Sequence, residues 1–584
     1  MNNSEKPSQH DKNIPMEDIK VQTSRVIDVN DSQVIEKQAL DDRLGDAHLN
    51  ILPTKKIIVC LAALSLGLFA SFADQTSITI ALPAIAKDLR AETTINWAGT
   101  AALLANCVCQ VLFGRLADIF GRKNILLFSL GTQAVADIGC AVSRTGVEFY
   151  IFRAIAGIGC GGTQSLTMVM LSDICTLKQR GKYQGILGAQ VGLANALGPF
   201  IMAAFVEHTT WRDFYYMMIP LVISVMVTIY FLIDGKKNAS QLNNVLSRKE
   251  KFKKIDYLGM FFSTASLTLL LIPISGGGSS YPWNSPLIIG MFVSGGLSFF
   301  VFIYIEWKLA ELPMIPLRIF ASPSLSLILG SNFLYGMAYY GFTYYLPYYL
   351  QIVRGLDSIH ASIILLPLVL TQSIASIIGG TLISYFGHYK NIILMGYGLW
   401  TVSCGLLYIF NTQTNWGVIV VILLVMGVGV GWTFQPTMVA AQSQAKKSDR
   451  AIVISARNVL RSFGGSVGIS IASMIVSNSL LREIRRESKN EGSILDGYLD
   501  YLKDHIYSRV DTSKLNHAQQ VVVREMYMKA IKNYFYICLP LIAVCFISTI
   551  FVVDRGLQCI DEEPEQKNKD KESDIDTSSN SSRQ

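Results

Sequence analysis

Charge is scarce in this 584-residue chain, where Asp, Glu, Lys and Arg together make up 16%. A soluble domain carries about 25%, so an ordinary water-soluble globule is excluded. Two chemical signatures are missing as well. The sequence has no Walker loop of the form GxxxxGKS/T and no zinc triplet such as HExxH, so the phosphate cradle of an ATP-driven pump and the ligand pair of a zinc hydrolase are absent. The ten cysteines show no paired spacing suggestive of disulfides or zinc. Most of them, such as Cys107, Cys109, Cys160 and Cys404, fall in apolar runs and read as buried thiols. No enzymatic activity, cofactor or metal is expected. Residues 1–54 lack the apolar core of a cleaved signal and are expected to form a retained, disordered cytosolic tail. The closing run DEEPEQKNKDKESDIDTSSNSSRQ, within 556–584, is expected to behave likewise.

What is abundant is apolar sequence: 51% of the residues are hydrophobic and the mean hydropathy is positive. About fourteen runs reach the 18 residues that cross a hydrocarbon layer. They begin near Ile57, Trp97, Ile125, Phe149, Gly185, Phe214, Leu258, Leu287, Leu325, Ser362, Ile392, Gly417, Ile452 and Asn533. In lipid each backbone amide must be satisfied within its own segment, so these runs are helices. The short alternating segments of a transmembrane barrel do not occur. The expected fold class is therefore an all-α polytopic membrane protein.

The formal net charge of +7 does not point to nucleic acid, because the basic residues sit in the loops between spans. With a cytosolic amino terminus, Lys and Arg fall predominantly in the cytosolic short loops, as the positive-inside rule requires. The densest loop is Asp234 to Asp256, containing SRKEKFKK. The long basic loop Arg482 to Lys532 lands outside, and long loops obey the rule poorly. The sequons at Asn2, Asn30, Asn238 and Asn580 all fall on the cytosolic side in this topology and would stay unglycosylated.

One short connection carries more than orientation. In GRLADIFGRK, Gly114 and Gly121 permit close approach and a turn, while Arg115, Arg122 and Lys123 hold the loop cytosolic. The added Asp118 suggests an ionic latch against a neighbouring helix. This decapeptide resembles the signature loop between the second and third spans of the major facilitator superfamily. ADQTSITIALP from Ala73, RAIAGIGCGG from Arg153, GPFIMAAF from Gly198, WRDFYYMMIP from Trp211 and LPYYLQIVRG from Leu346 resemble further motifs of its fourteen-span drug:proton antiporter branch. Two departures stand out. Met202 and Ala203 replace a glycine pair, and Ser384 stands where the second-half counterpart of the decapeptide has an acid.

The resemblance implies two six-helix bundles, 55–233 and 321–555, separated by a region, 234–320, that holds a basic loop and two additional central spans. It implies a proton-coupled carrier exporting small organic compounds, amphipathic or cationic, as in multidrug efflux. Proton-driven loading of basic amino acids into a vacuole is the alternative, and a non-transporting receptor is the alternative of another class. The expected partners are a small-molecule substrate, protons and the lipid bilayer, with the chain a monomer. The plasma membrane is the expected location, with the vacuolar membrane as the alternative.

Charges inside apolar runs single out the candidate residues, since an ionisable side chain at mid-membrane costs about 2.5 to 3.5 kcal/mol on insertion scales. Asp74 and Arg153 are the proton-coupling candidates. Asp137 is expected to be a satisfied, peripheral polar contact. Tyr340 and Tyr344, at helical spacing, and Gln435 and Asn458 are substrate-lining candidates. Gly198 and Pro199 form a candidate hinge, because proline removes one backbone bond and lets a helix bend.

Overall fold

A computed structural model describes residues 54–91, 95–175, 177–232, 256–276, 282–310, 317–446, 449–488, 495, 498–504 and 515–557. The sequons, most of the Asp234 to Asp256 loop and both tails lie outside the described residues. The long helices, in chain order, are α1 (Thr54–Asp88), α2 (Asn96–Phe120), α3 (Arg122–Val142), α4 (Gly146–Ile174), α5 (Leu177–His208), α6 (Trp211–Leu232), α7 (Tyr257–Gly276), α8 (Pro286–Lys308), α9 (Pro323–Tyr348), α10 (Ser358–Phe386), α11 (Lys390–Leu406), α12 (Trp416–Ser443), α13 (Arg450–Glu487) and α14 (His517–Ile550). Twelve of them are long and apolar enough to cross a membrane. The other two, α2 and α9, span 25 and 26 residues and carry more polar groups.

The expected starts match the observed helices closely except at α5 and α14. These two begin earlier, with the amphipathic turns LKQRGKYQ and HAQQVVVREMYMKAIK. Such turns continue the backbone hydrogen-bond ladder while lying outside the apolar run that hydropathy detects. The expected loop Arg482 to Lys532 shrinks accordingly: α13 runs on to Glu487, and Glu483 pairs with Lys529 of α14 at 3.1 Å.

Helices α1 to α6 pack as one group and α9 to α14 as another, with α7 against α2 and α13 and α8 against α7. The two groups meet mainly where α5 lies along α10 and α2 lies along α13. Small residues permit this contact. A Cβ on Gly185 would meet the Ser376 carbonyl oxygen at 2.6 Å, and one on Gly181 would meet the Gly380 carbonyl oxygen at 2.7 Å. With no hydrophobic drive between helices in lipid, such backbone approach supplies the packing energy. Ser376 adds a hydrogen bond to the Gly185 carbonyl at 3.1 Å, and the Ser165 and Ser455 hydroxyls meet at 2.9 Å across the same interface.

Candidate functional site

Asp74 of α1 and Arg153 of α4 form a fully buried ion pair. Arg153 Nη1 donates to both carboxylate oxygens, at 2.7 and 2.8 Å. Side-chain exposure is 0% for Arg153 and 1% for Asp74. Two longer bonds complete the guanidinium shell, from Nε to the Ala98 carbonyl at 3.3 Å and from Nη2 to the Asp74 carbonyl at 3.4 Å. Arg153 thus faces the bundle interior and does not extend outward to the interface. The Thr76 hydroxyl bonds back to the Phe72 carbonyl at 3.0 Å. An unpaired ion at this depth would be expensive, and each partner supplies the counter-charge that makes the other tolerable.

The expectation for Asp137 is overturned. Its side chain on α3 is completely buried, yet neither carboxyl oxygen has a hydrogen-bond partner. It interacts electrostatically with both Asp74 and Arg153, so it belongs to the same cluster and is not peripheral. Cys140, Cys160 and Tyr215 close the cluster from α3, α4 and α6. A one-sequence reading places a polar residue on a helix but cannot tell which neighbours rotate towards it.

A second polar cluster lies in the other bundle. Arg457 and Arg461 lie one turn apart on α13, and both are buried. Arg457 donates through Nη2 to the Thr437 hydroxyl at 3.0 Å and to the Phe434 carbonyl, and through Nη1 to Asn458 Oδ1 at 3.3 Å. Arg461 Nη1 donates to the Tyr340 hydroxyl at 3.1 Å. Neither guanidinium has a carboxylate partner among the described residues, and the Nε of each is unbonded. Their charge rests instead on ring faces. Arg457 sits 5.1 Å from the Phe434 centroid, and Arg461 sits 4.9 Å from Phe434 and 5.9 Å from Tyr340.

Of the lining candidates, Tyr340 and Asn458 therefore touch the two arginines. Gln435 is buried beside Gly188 of α5, with neither end of its amide bonded. Tyr344 is 51% exposed and pairs with the ring of Tyr345. Tyr335 and Tyr339 stack at 5.6 Å on the same helix, and Tyr339 donates to Gln372 at 3.1 Å. The sequence reading missed Arg457 and Arg461. Their signal was available as two cations at i, i+4 within a helix long enough to span.

Gly121 turns the chain between α2 and α3 with φ 93°. Arg122 pairs with Asp173 at the end of α4, and Lys123 donates to the Tyr230 carbonyl of α6 at 2.7 Å. A Cβ on Gly114 would meet the Ser455 Cβ at 3.0 Å, so this position sets how near α2 comes to α13. The Asp118 side chain lies outside the described residues. In the second half, the hydroxyl of Ser384 accepts from the Lys182 backbone N–H at 2.9 Å, a neutral tie from α10 to the start of α5. Gly198 packs directly on α1, where its Cβ would meet Ala73 at 3.0 Å, adjacent to Asp74; Pro199 follows within an unbroken α5.

Two bundles of spanning helices packed against each other, each holding buried charge, have the architecture of a membrane carrier. The sequence profile of the Major Facilitator Superfamily matches residues 64–469, and the chain belongs to that family. It is 44% identical over 509 residues to Citrate exporter 1 of Yarrowia lipolytica, covering 87% of this chain and 74% of that one. It is 32% identical over 435 residues to the efflux pump dotC of Dothistroma septosporum, covering 74% of each. It is 28% identical over 520 residues to the vacuolar membrane amino acid uptake transporter fnx2 of Schizosaccharomyces pombe, covering 88% and 87%. Among solved structures, the proton:xylose symporter XylE superposes with a TM-score of 0.56 at 12% identity, covering 88% of this chain and 99% of that one, a likeness of fold.

Proposed function

We propose that this chain exports small organic carboxylates across the plasma membrane in exchange for protons, with Arg457 and Arg461 as the anion-binding residues. The observation that carries this reading is two buried guanidiniums without a carboxylate partner among the described residues. A guanidinium fork matches a carboxylate in two-point geometry. A polycarboxylate would thus bring the counter-charge that the fold leaves out. The 44% identity to a protein named as a citrate exporter supports the same substrate class.

The alternative of an amphipathic or cationic substrate draws on the aromatic side chains of α9 and on the likeness to an efflux pump. The ring faces of Phe434 and Tyr340 are already occupied by Arg457 and Arg461. A second cation there would meet like charge, which opposes binding. Basic amino acid loading into a vacuole draws on the likeness to an amino acid transporter. The amino acid's carboxylate suits the arginines, but its cationic side chain faces the same repulsion.

Asp74 and Arg153 serve as the proton-coupling pair in this reading, and the tie at Gly114, Gly121, Arg122 and Lys123 holds the cytosolic end shut between cycles. Gly198, seated on α1 beside Asp74, lets α5 and α1 move as one unit. The test is transport in proteoliposomes with an imposed pH gradient, comparing radiolabelled citrate with tetraphenylphosphonium. Saturable citrate flux that falls about 100-fold in Arg461→Gln, the scale of a lost charge-assisted contact of about 3 kcal/mol, is expected. Flux of the cation with none of citrate would refute the substrate class.

A further inference from the structure

We propose that Asp137 is the carboxyl that binds and releases the exchanged proton, and that Asp74 is the fixed counter-ion that keeps Arg153 in place. The inference rests on the proton-coupled reading above and assigns the proton to a residue that reading leaves out.

The geometry separates the two acids. Asp74 has both oxygens bonded to Arg153 Nη1 and stands as a compensated carboxylate. Asp137, equally buried, has no hydrogen-bond donor on either oxygen. A second carboxylate in that position would place two negative charges beside one guanidinium without a single hydrogen bond to the added charge, a costly arrangement in a dry interior. With a proton attached, the group is neutral and its environment is tolerable. The packed state is thus the one in which Asp137 holds the proton.

Release needs a new donor, and the cluster contains one. Arg153 Nη2 makes only the 3.4 Å bond to the Asp74 backbone carbonyl. A modest shift of α3 against α4 would let Nη2 turn to Asp137 while Nη1 stays on Asp74, dividing one guanidinium between two carboxylates. The groups facing Asp137 are Asp74 from α1, Arg153 and Cys160 from α4, Tyr215 from α6 and Cys140 on its own helix. Only Arg153 among these is a cation, so the position of α4 relative to α3 decides whether the ionised form is supported. The Tyr215 hydroxyl is also unbonded, and it is the neutral donor available to the carboxylate as the proton leaves. In bond terms, the O–H bond of the Asp137 carboxyl breaks, the proton passes to water, and the carboxylate gains hydrogen bonds from Nη2 and Tyr215.

Protonation is read directly by pH-difference infrared spectroscopy of the reconstituted protein, in the carbonyl stretch of a protonated carboxylic acid. The expected result is a titrating band that is lost in Asp137→Asn, kept with a shifted frequency in Asp137→Glu, and moved to higher pH in the folded Asp74→Asn/Arg153→Met double variant, which lacks the cation that supports the ionised form. Alongside it, the pH dependence of citrate exchange flattens in Asp137→Asn, with a change of under about twofold across a range where the wild type changes about tenfold, the response to one ionisation shifted by one pH unit. Asn has the same shape and no charge, so this variant keeps the fold. A band that survives in Asp137→Asn, or a wild-type pH profile in that variant, would overturn the assignment. If the wild type moves no citrate, the substrate proposal fails and the infrared band still decides Asp137.

Discussion

The sharpest consequence of the buried ion pair concerns what happens when half of it is removed. Asp74→Asn leaves Arg153 with no exposed surface, removes its counter-charge and replaces two carboxylate acceptors by one amide oxygen, beside the contacts of 3.3 and 3.4 Å to carbonyls. Breaking a buried pair by deleting one partner costs about 3 to 5 kcal/mol, because the remaining charge is uncompensated. For a unit of 150 to 250 residues, the approximate size of the first bundle, each kcal/mol lowers the melting temperature by about 2 to 4 °C. The single variant is therefore expected to melt about 10 °C lower. Replacing both partners, as in Asp74→Asn/Arg153→Met, removes the stranded charge and should recover most of that loss, since apolar replacements of a buried pair are often neutral. The assay is thermal unfolding in detergent, followed by the intrinsic fluorescence of the tryptophans. A single variant as stable as the wild type, or a double variant less stable than the single, would refute the view that the two charges are held in place by each other.

Other perturbations have directions fixed by the same geometry. Arg457→Gln and Arg461→Gln should each raise the half-saturating citrate concentration while increasing thermal stability by about 1 kcal/mol or more, because an unpartnered buried charge is relieved; the two measurements together separate binding from folding. Gly185→Val places a side chain against the Ser376 carbonyl of α10. It should cost about 1 to 3 kcal/mol and loosen the contact between the two bundles, read as faster labelling of a cysteine introduced at Ser165. Asp88, hydrogen-bonded by Arg212 and Trp211 at the far end of α1, has its carboxyl pKa lowered by the Arg212 bond. A lowered carboxyl pKa stabilises the folded state above the unfolded value of about 3.9 and ceases to do so as pH falls through the folded value. Asp88→Asn should therefore cost under about 1 kcal/mol near neutrality, both groups being partly exposed, with the difference closing in acid.

Most of the fold was legible because lipid imposes it. An apolar run of sufficient length has no alternative to a helix, so starts near Trp97, Leu258, Leu287 and Gly417 agree with the observed helices at Asn96, Tyr257, Pro286 and Trp416. Legibility ended where a helix leaves the apolar layer, as at the amphipathic starts of α5 and α14. Asp74 and Arg153 were legible as individual charges, because each interrupts a hydrophobic run. Their partnership was not, since it joins positions 79 residues apart through the rotation of two helices. Asp137 was misplaced for the same reason. Arg457 and Arg461 were overlooked, although they fall inside the apolar run that starts near Ile452; their burial follows from how α13 packs, which a sequence does not display. Tyr344 shared a helical face with Tyr340 in the pattern, yet it lies in the exposed outer part of α9.

The two halves of this carrier are unequal conductors of electrical force. The Asp74 and Arg153 charges cancel and feel almost no net pull from a voltage, whereas the unmatched arginines of α13 do. Each elementary charge moved through a full 100 mV exchanges about 2.3 kcal/mol with the field. On the carboxylate-export proposal, an anionic cargo would mask these arginines and an empty site would leave them bare, so a negative cell interior would act chiefly on the vacant protein and draw it back towards the cytosol. The resting potential of the membrane would then serve as a return spring, resetting the carrier after each delivery.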